Sequence, residues 1–528
     1  MPKVLIADKM SEKAKEIFVE KGLDVDVKTG LDKDELISIA EKYDGIVVRS
    51  STKITEKVLK KASNLKIVGR AGIGVDNIDV DSATENGVVV MNTPFGNAIT
   101  TAEHAIALIL GLMRNLPQAN ISTHEGKWEK SKYMGQEVTG KVLGIIGCGN
   151  IGSIVADRAK GLRMRVLSYD PFLTPERANI LGVKKVELDE LLQKSDIISL
   201  HVPMTEQTKN ILNKDTLKKC KKGVKIINCA RGGLIDEEAL VKAIENGNVD
   251  GAAIDVYEVE PAKESILFGN DKIICTPHLG ASTIEAQENV AIQIAEQMSD
   301  YLIEGAVTNA LNMPSISADE APILSPFVKL AEQLGLFAGQ LMLANFDKIE
   351  IEYVGVISDF NCAPITSAAI AGILKPSLSD INMVSAPSIA KNKGLTISEV
   401  KRDESSAYES YIKVTLHSKK DNFSIGGTVF SDGNPRIVQI NGINLEAELN
   451  RNMLYVTNKD VPGLIGHLGS ILGDQGINIA SFNLGRNAPL KDAMALIGVD
   501  TEINAKVIEN VKKLDSIVTV NSLIFNIK

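Results

Sequence analysis

Three glycines, Gly147, Gly149 and Gly152, are the first sign of a ligand-binding site in this chain. They follow a short apolar run at 142–146 and open a helical pattern that continues to residue 159. In such a Gly-x-Gly-x-x-Gly loop the first glycine makes a tight turn, and the second lets backbone N–H groups approach a pyrophosphate. The third lets helix and strand pack closely, and the unpaired N–H groups at the helix start favour an anion. The stretch therefore predicts a dinucleotide site.

A second apolar run, at 165–169, ends on Asp170, eighteen residues after the last glycine. An acid at this place accepts hydrogen bonds from the ribose hydroxyls of adenosine and repels a 2′-phosphate. A lone glycine motif is more often an ordinary turn, but the order of strand, glycine loop, helix, strand and acid favours a cofactor site. The predicted cofactor is NAD rather than NADP.

Polar residues recur where each later strand of this region is predicted to end. With the first acid they are Asp170, His201, Arg231, Asp255 and His278. Taken singly, each is more often a loop residue. In an open α/β sheet, however, cofactor and substrate meet at the carboxyl ends of the strands. The repetition therefore predicts an active site along one edge of a parallel sheet.

Hydride transfer is the chemistry that fits these residues, because a dinucleotide leaves the protein to supply orientation, charge and one proton-transfer group. Arg231 can hold a substrate carboxylate through two hydrogen bonds. His278 titrates near neutrality, so it can take a hydroxyl proton and return it. A nearby carboxylate would orient the imidazole, and the candidates are Glu258 and Glu260.

The first 98 residues alternate short apolar strands with helices, which is typical of an α/β domain with a parallel sheet. Arg49, Ser50 and Arg70 come directly after two of these strands. Guanidinium groups match the geometry of carboxylate and phosphate. Position alone leaves two interpretations open, an anion site or solvated loop charges.

Composition excludes several classes of protein. At 528 residues the chain is too long for one core and predicts three or four domains. A net charge of −9 argues against binding to nucleic acid or to an anionic membrane. The five cysteines lack CxxC and metal-site spacing, so we expect reduced thiols and no metal. Without a long apolar span or a signal-peptide pattern, the expected location is the cytoplasm.

The second half carries no catalytic constellation. A boundary is predicted at Asn312–Pro314, and the residues after it suggest a regulatory or spacer domain. From 453 onward the pattern is strand, helix, strand, strand, helix, strand, which is the ferredoxin-like topology. The predicted fold class is therefore α/β, with a Rossmann-type doubly wound parallel sheet, followed by an α+β domain and a ferredoxin-like domain.

The segments 69–79 (GRAGIGVDNID), 228–233 (NCARGG) and 278–283 (HLGAST), together with Glu260-Pro261, resemble the D-isomer-specific 2-hydroxyacid dehydrogenases. Within that family the whole chain is similar to the long-form phosphoglycerate dehydrogenases. The resemblance implies NAD-dependent oxidation of 3-phospho-D-glycerate to 3-phosphohydroxypyruvate, the first step of L-serine synthesis. It assigns Arg231 as substrate anchor, Glu260 as carboxylate partner and His278 as acid/base.

The resemblance also implies a set of contacts. Beside the glycine loop, the nucleotide would meet Asn150, Ile151, Asp170, Val202, Cys229, Ala230, Arg231, Asp255, His278, Leu279, Gly280 and Ala281. Asp255 is expected near the nicotinamide amide. The substrate would meet Arg49, Ser50, Arg70 and Gly72, with Lys130 reaching it from a neighbouring subunit. Two positions depart from common relatives, Asn150 where arginine is frequent and Ile73 where threonine is frequent.

By the same resemblance, residues 1–98 form a flavodoxin-like substrate domain that residues 282–307 complete, and 99–281 form the NAD domain. Residues 314–449 would be an intervening regulatory domain, and 452–528 an ACT domain. Asp460 and Asn478 would meet an amino acid effector such as L-serine, although a helix cap and a turn explain them equally well. Asn458 stands where some serine-inhibited relatives have histidine. A homodimer or homotetramer is expected.

Two alternatives stay open from sequence. The first is another dehydrogenase of the family, of the glyoxylate or 2-oxoglutarate type, which would share every catalytic residue. The second is a non-enzymatic, NAD-sensing binding protein on the same scaffold. Arg49 and Arg70 and the two C-terminal domains argue against the first, and the regulatory tail argues against the second.

Overall fold

The structure is a computed structural model of the chain. It describes every residue except 318, 344–345, 379–380, 404–406, 420, 489–490 and 526–528. The described residues form four β-sheets, which follow one another along the chain. Within the described ranges, no helix has the length and apolarity that a membrane span requires.

The first sheet is parallel, with strand order β2-β1-β3-β4-β5, which is the flavodoxin-like order. Its strands are β1 (Lys3–Ile6), β2 (Asp24–Val27), β3 (Gly45–Val48), β4 (Ile67–Arg70) and β5 (Val89–Asn92). The helices between them are α1 (Lys13–Glu20), α2 (Lys33–Ile39), α3 (Glu56–Lys61) and α4 (Val80–Glu85). The central strands are continuous apolar runs because helices cover both faces of the sheet.

A long helix from further along the chain, α12 (Ile284–Glu304), packs on this sheet and on α1. Its Ile294 and Met298 lie directly over Gly69 of β4, where a methyl group would fall 2.2 Å from the Met298 sulfur. The contact with α12 therefore fixes the position of β4, and Arg70 lies at the end of this strand.

The second sheet is also parallel, with strand order β12-β11-β10-β9-β6-β7-β8. Its strands are β6 (Val142–Ile146), β7 (Arg165–Tyr169), β8 (Lys184–Lys185), β9 (Ile197–Leu200), β10 (Val224–Asn228), β11 (Val249–Ile254) and β12 (Ile273–Cys275). The direction of winding reverses between β6 and β9, and this switch point places the glycine loop at the crevice where ligands bind. The predicted Rossmann-type sheet is confirmed.

Helices cover both faces of the second sheet, and the core lies in two apolar layers. They are α5 (Ala98–Met113), α6 (Leu116–His124), α7 (Asn150–Gly161), α8 (Pro175–Leu181), α9 (Leu188–Lys194), α10 (Lys214–Lys219) and α11 (Glu237–Glu245). The α5 helix packs on α7, β10 and β11. It thereby lies beside the strands that carry the catalytic candidates.

The third sheet is mixed, with strand order β14-β13-β15-β16-β17-β18. Its strands are β13 (Lys348–Gly355), β14 (Thr396–Arg402), β15 (Ser410–His417), β16 (Asn422–Val429), β17 (Pro435–Ile440) and β18 (Ile443–Ala447). Its helices are α13 (Ala321–Met342), α14 (Ala363–Leu374) and α15 (Ala386–Asn392). Pro322 occupies the first turn of α13, and the helix continues through Pro326.

The last sheet is antiparallel, with strand order β20-β21-β19-β22. Its elements are β19 (Asn452–Lys459), α16 (Leu464–Asp474), β20 (Ile479–Arg486), β21 (Asp492–Val499), α17 (Ala505–Lys512) and β22 (Ile517–Ile524). This order is the predicted ferredoxin-like βαββαβ topology. The Phe337 ring of α13 contacts Tyr455 and Phe525, which joins this sheet to the third. The predicted residue boundaries of the domains remain predictions.

Candidate active site

The glycine loop between β6 and α7 shows why each glycine is required. Gly147 has φ +93°, and a methyl group there would fall 2.5 Å from the carbonyl oxygen of His201. A methyl group on Gly152 would fall 2.0 Å from the carbonyl oxygen of Gly147. By contrast, nothing lies within 4 Å of the corresponding position on Gly149. The first and third glycines are thus required by packing, whereas the second leaves open space where a pyrophosphate fits.

Asp170 closes this loop from the end of β7. Its Oδ2 accepts a hydrogen bond from the Cys148 amide at 2.8 Å, and its Oδ1 accepts one from the Phe172 amide at 2.8 Å. Both bonds orient the half-buried carboxylate and leave a lone pair on each oxygen. Such a carboxylate fits the adenosine ribose hydroxyls of NAD.

Asp255, at the end of β11, is fully buried and organises the loop after β12. Its Oδ1 accepts hydrogen bonds from Thr276 Oγ1 at 2.6 Å and the Leu279 amide at 2.7 Å, and its Oδ2 accepts one from the Gly280 amide at 2.9 Å. His104 Nε2 of α5 lies 3.3 Å from Oδ1. Burial alone raises the pKa of Asp255, but these contacts outweigh burial and hold the pKa below its usual value.

The catalytic candidates His278 and Glu260 form a close pair. His278 Nδ1 lies 2.6 Å from Glu260 Oε2, and Glu260 Oε1 accepts a hydrogen bond from the Tyr257 amide at 3.0 Å. Glu260 raises the pKa of His278, an effect that burial and the nearby charge of Arg231 oppose. Burial raises the pKa of Glu260. The hydrogen bonds from His278 and the Tyr257 amide outweigh this effect and hold the pKa below its usual value.

The structure thereby decides between the two carboxylates that the sequence left open. Glu260 is the partner of His278, whereas Glu258 is exposed and donates its backbone N–H to Glu237 at 3.4 Å. Because Nδ1 faces Glu260, the Nε2 atom of His278 is the one available for proton exchange with a ligand.

Arg231 follows β10 in a turn that Asn228 shapes. Asn228 Oδ1 accepts a hydrogen bond from the Ala230 amide at 3.0 Å, and its Nδ2 donates to the Arg231 carbonyl at 2.9 Å. The guanidinium donates through Nη1 to the Ala230 carbonyl at 2.6 Å and through Nε to Asp76 Oδ2 at 3.0 Å. Asp76 belongs to the first domain and was not among the site residues predicted from the sequence.

Arg49 and Arg70 lie at the ends of β3 and β4, where Asn77 ties them together. Arg70 Nε donates to Asn77 Oδ1 at 3.2 Å, and Asn77 Nδ2 donates to the Arg49 carbonyl at 2.7 Å. Burial, followed by repulsion from Arg49 and Arg231, lowers the pKa of Arg70 to about 10. Arg70 is therefore close enough to Arg49 and Arg231 to be repelled by both, and the three residues are here called the arginine cluster. The missed residue Asn77 is visible in sequence only as part of the 69–79 segment.

The remaining predicted substrate residues fall in two places. Gly72 has φ +147°, donates its amide to Thr93 Oγ1 at 2.8 Å and lies against the Arg70 guanidinium. Ser50 is exposed beside Arg49. Lys130 is exposed in the loop between α6 and β6, and among the described residues no hydrogen bond or ion pair links it to the arginine cluster.

Other predicted nucleotide residues line the same edge of the sheet in different environments. Asn150 is exposed, and its Nδ2 reaches the Pro94 carbonyl at 3.4 Å across the crevice. Cys229 is buried, and burial raises the pKa of its thiol. The half-buried or exposed members of this set are Ile151, Val202, Ala230, Leu279 and Ala281.

His201 differs from the other strand-end residues. Its Nε2 lies 2.8 Å from Ser199 Oγ of its own strand, and burial lowers the pKa of the imidazole to about 4. The Nε2 atom of His201 is therefore engaged with Ser199, whereas that of His278 is available to a ligand. His201 thus stands at the end of β9, as predicted, but its ring bonds within its own strand.

In the last domain, Asp460 Oδ2 accepts a hydrogen bond from Arg486 Nη1 at 2.9 Å. It does not cap a helix, because the residue before α16 is Gly463, with φ +96°. Asn478 is exposed, and its Nδ2 donates to Asp500 Oδ2 at 2.7 Å. Asn458 is buried at the end of β19.

Comparison with known proteins places these sites in a family. Residues 106–280 match the model of the D-isomer specific 2-hydroxyacid dehydrogenase NAD binding domain. Residues 323–441 match the D-3-phosphoglycerate dehydrogenase intervening domain, and residues 452–516 match the ACT domain. D-3-phosphoglycerate dehydrogenase of Bacillus subtilis (strain 168) is 42% identical over 98% of this chain and 99% of its own. The chain belongs to the D-3-phosphoglycerate dehydrogenase family.

Solved structures agree with this assignment for the dehydrogenase part. A glyoxylate reductase from Paecilomyes thermophila is 30% identical, with a TM-score of 0.55, over 59% of this chain and 98% of its own. D-lactate dehydrogenase from Aquifex aeolicus, complexed with NAD and lactic acid, is 29% identical, with a TM-score of 0.53, over 59% of this chain and 100% of its own. The predicted cofactor, NAD, and the prediction of a dehydrogenase with an ACT domain are confirmed.

Proposed function

We propose that the enzyme oxidises 3-phospho-D-glycerate to 3-phosphohydroxypyruvate with NAD as hydride acceptor. The observation that carries this proposal is the arginine cluster beside the His278–Glu260 pair. The substrate has a carboxylate at one end and a phosphate at the other, and guanidinium groups suit both. The names of the full-length relatives support the same substrate.

His278 and Arg231 act on the reacting end of the substrate in this proposal. Arg231 binds the carboxylate and orients the neighbouring C–OH group. His278 Nε2 accepts the hydroxyl proton during oxidation and returns it during reduction, while Glu260 stabilises the imidazolium that forms. When bound, NAD supplies the hydride acceptor. Proton acceptance requires a neutral imidazole, so oxidation becomes faster as pH rises through the pKa of His278. Glu260 raises that pKa above its usual value.

Arg49 and Arg70 bind the phosphate at the other end, together with the Ser50 hydroxyl, and Gly72 leaves room for the Arg70 guanidinium. Asn77 fixes the relative position of the two arginines, because its side chain bonds to the Arg70 guanidinium and to the Arg49 carbonyl. Repulsion within the cluster is relieved when a dianionic group binds between its members. The cluster therefore favours a doubly charged substrate over a monocarboxylate.

A substrate panel tests the proposal. Purified enzyme with NAD is assayed for NADH formation from 3-phospho-D-glycerate, D-2-hydroxyglutarate and glycolate, with the phosphorylated keto product removed as it forms. We expect the highest kcat/KM with 3-phospho-D-glycerate, and His278→Ala should abolish turnover but keep NADH affinity. Preference for an unphosphorylated acid would favour the 2-oxoglutarate or glyoxylate type and overturn the proposal.

Regulation and assembly form a separate part of the proposal. L-serine would bind the ACT domain near Asp460 and Asn478, and a homodimer or homotetramer in the cytoplasm would bring Lys130 of one subunit to the active site of another. Titration with L-serine tests the effector, and Asn478→Ala should weaken any inhibition. Light scattering gives the oligomeric state. Unchanged activity at millimolar serine would rule out this effector.

A further inference from the structure

Asp76 lies in the loop between β4 and α4 and reaches across the crevice to Arg231, 155 residues further along the chain. Its Oδ2 is 3.0 Å from Arg231 Nε. The Asp76 side chain is 71% exposed, whereas that of Arg231 is 29% exposed. The carboxylate therefore meets the guanidinium at the entrance of the site and comes from the domain that does not carry Arg231.

The same loop also provides a surface for the guanidinium plane. A methyl group on Gly74 would fall 1.7 Å from Arg231 Nη2, so only a glycine leaves room for the arginine here. On the other side, Nη1 donates to the Ala230 carbonyl at 2.6 Å. The guanidinium is thus held by Gly74, Asp76 and Ala230 in one orientation.

This arrangement leaves donors of Arg231 for a ligand. A guanidinium has five N–H donors. Of the described residues, Asp76 and Ala230 accept one bond each, which leaves three. A bidentate carboxylate needs two of them. Asp76 occupies the Nε–H group, so the second N–H of Nη1 and both N–H groups of Nη2 are left for the ligand.

Charge gives Asp76 a second effect. Arg49 and Arg231 repel the positive charge of Arg70, and the negative charges of Asp8 and Asp76 oppose that repulsion. Asp8 lies on the far side, where its carboxylate accepts hydrogen bonds from the Arg49 and Thr52 amides. Asp76 is the carboxylate of this pair that contacts Arg231 directly.

We propose that Asp76 is a positioning residue of the hydride-transfer site, which orients Arg231 toward the substrate carboxylate when the two domains meet. The inference rests on the proposed function. It differs from a surface ion pair that only adds stability, because such pairs contribute little and their loss leaves substrate kinetics unchanged.

The test compares Asp76→Ala, Asp76→Asn and a control, Asp81→Asn, which removes the same charge from an exposed site in the first turn of α4. Each full-length enzyme is assayed with NAD and 3-phospho-D-glycerate, or with whichever 2-hydroxy acid the wild type oxidises best. NADH affinity is measured by fluorescence and Tm by circular dichroism.

We expect Asp76→Ala to lower kcat/KM roughly 10- to 100-fold, as for loss of a charge-assisted hydrogen bond. Asp76→Asn, which keeps an oxygen acceptor for Nε–H, should recover most of that loss. The NADH affinity and the Tm of both Asp76 variants should match those of the Asp81→Asn control.

Equal kinetics for Asp76→Ala and Asp81→Asn would overturn the inference, as would a loss explained by a lower Tm or weaker NADH binding. Failure of the proposed function looks different, because the wild type itself would then prefer another substrate.

Discussion

Gly149 and Gly152 belong to one motif, yet the structure predicts opposite consequences for their replacement by alanine. At Gly152 the added methyl group would fall 2.0 Å from the Gly147 carbonyl oxygen, whereas real Cβ atoms essentially never come closer than 3.0 Å. The loop or α7 must then move by about 1 Å, since backbone cannot rotate away. At Gly149 the methyl group would meet nothing within 4 Å.

These distances give different magnitudes. Overpacking of this kind costs about 1–3 kcal/mol, so Gly152→Ala should lower the Tm of the NAD domain by roughly 2–4 °C for each kcal/mol. Gly149→Ala should cost less than about 1 kcal/mol, from replacing an N-cap glycine. Its methyl group occupies the space for the pyrophosphate, so the loss of about 1.5–3 kcal/mol of charge-assisted bonding weakens NADH binding roughly 10- to 100-fold.

Calorimetric titration with NADH and thermal unfolding followed by circular dichroism measure both quantities on the same samples. We expect Gly149→Ala to bind NADH more weakly while its Tm falls less than that of Gly152→Ala, and we expect Gly152→Ala to show both a lower Tm and weaker NADH binding. A Gly149→Ala enzyme that binds NADH as tightly as the wild type would refute the assignment of this open space to the pyrophosphate. A Gly152→Ala enzyme with an unchanged Tm would refute the packing argument.

The remaining predictions concern proton transfer, substrate charge and domain attachment. Glu260→Gln removes the main cause of the raised pKa of His278, so the rise of oxidation kcat/KM with pH should move to lower pH, and kcat should fall roughly 100-fold. The dependence of kcat/KM on pH is measured from about pH 5 to 9. The control Glu258→Gln, at an exposed site, should leave this pH dependence unchanged. Arg70→Gln should raise KM for the phosphorylated substrate about 10- to 100-fold with unchanged NADH affinity, and an unchanged KM would contradict its role. Asn312→Ala removes hydrogen bonds of 2.9, 3.0 and 2.9 Å to the α4–β5 region and should lower the free energy of unfolding by about 1–3 kcal/mol in urea titrations. Unchanged stability would show that these three hydrogen bonds do not stabilise the folded protein.

The fold was largely predictable because it depends on local patterns. Apolar runs of four to six residues alternating with helices require a parallel sheet with covered faces. The glycine loop and Asp170 then locate its nucleotide edge, since their spacing is set by one strand–helix–strand unit. Residues at the ends of parallel strands come together without any detailed knowledge of packing. For this reason Arg231, Asp255 and His278 could be placed on one edge from sequence.

Side-chain partners were less predictable. His201 has the same strand-end position as His278, yet its ring turns into the sheet toward Ser199. Asp460 precedes a helix in sequence, yet it bonds to Arg486 of a strand. Position along an element does not fix the direction of a side chain at its end, because loop backbone there is irregular.

The cofactor, the family and the edge of the sheet at which chemistry takes place can be identified from sequence, because these depend on motifs that are contiguous or regularly spaced. The pairing of His278 with Glu260 rather than Glu258, and the contact that Asp76 makes across the domains with Arg231, became clear from the folded structure. Both contacts depend on the conformation of irregular loops and on how two sheets meet. The two contacts form only when the apolar faces of both domains have packed, so no local sequence pattern encodes them.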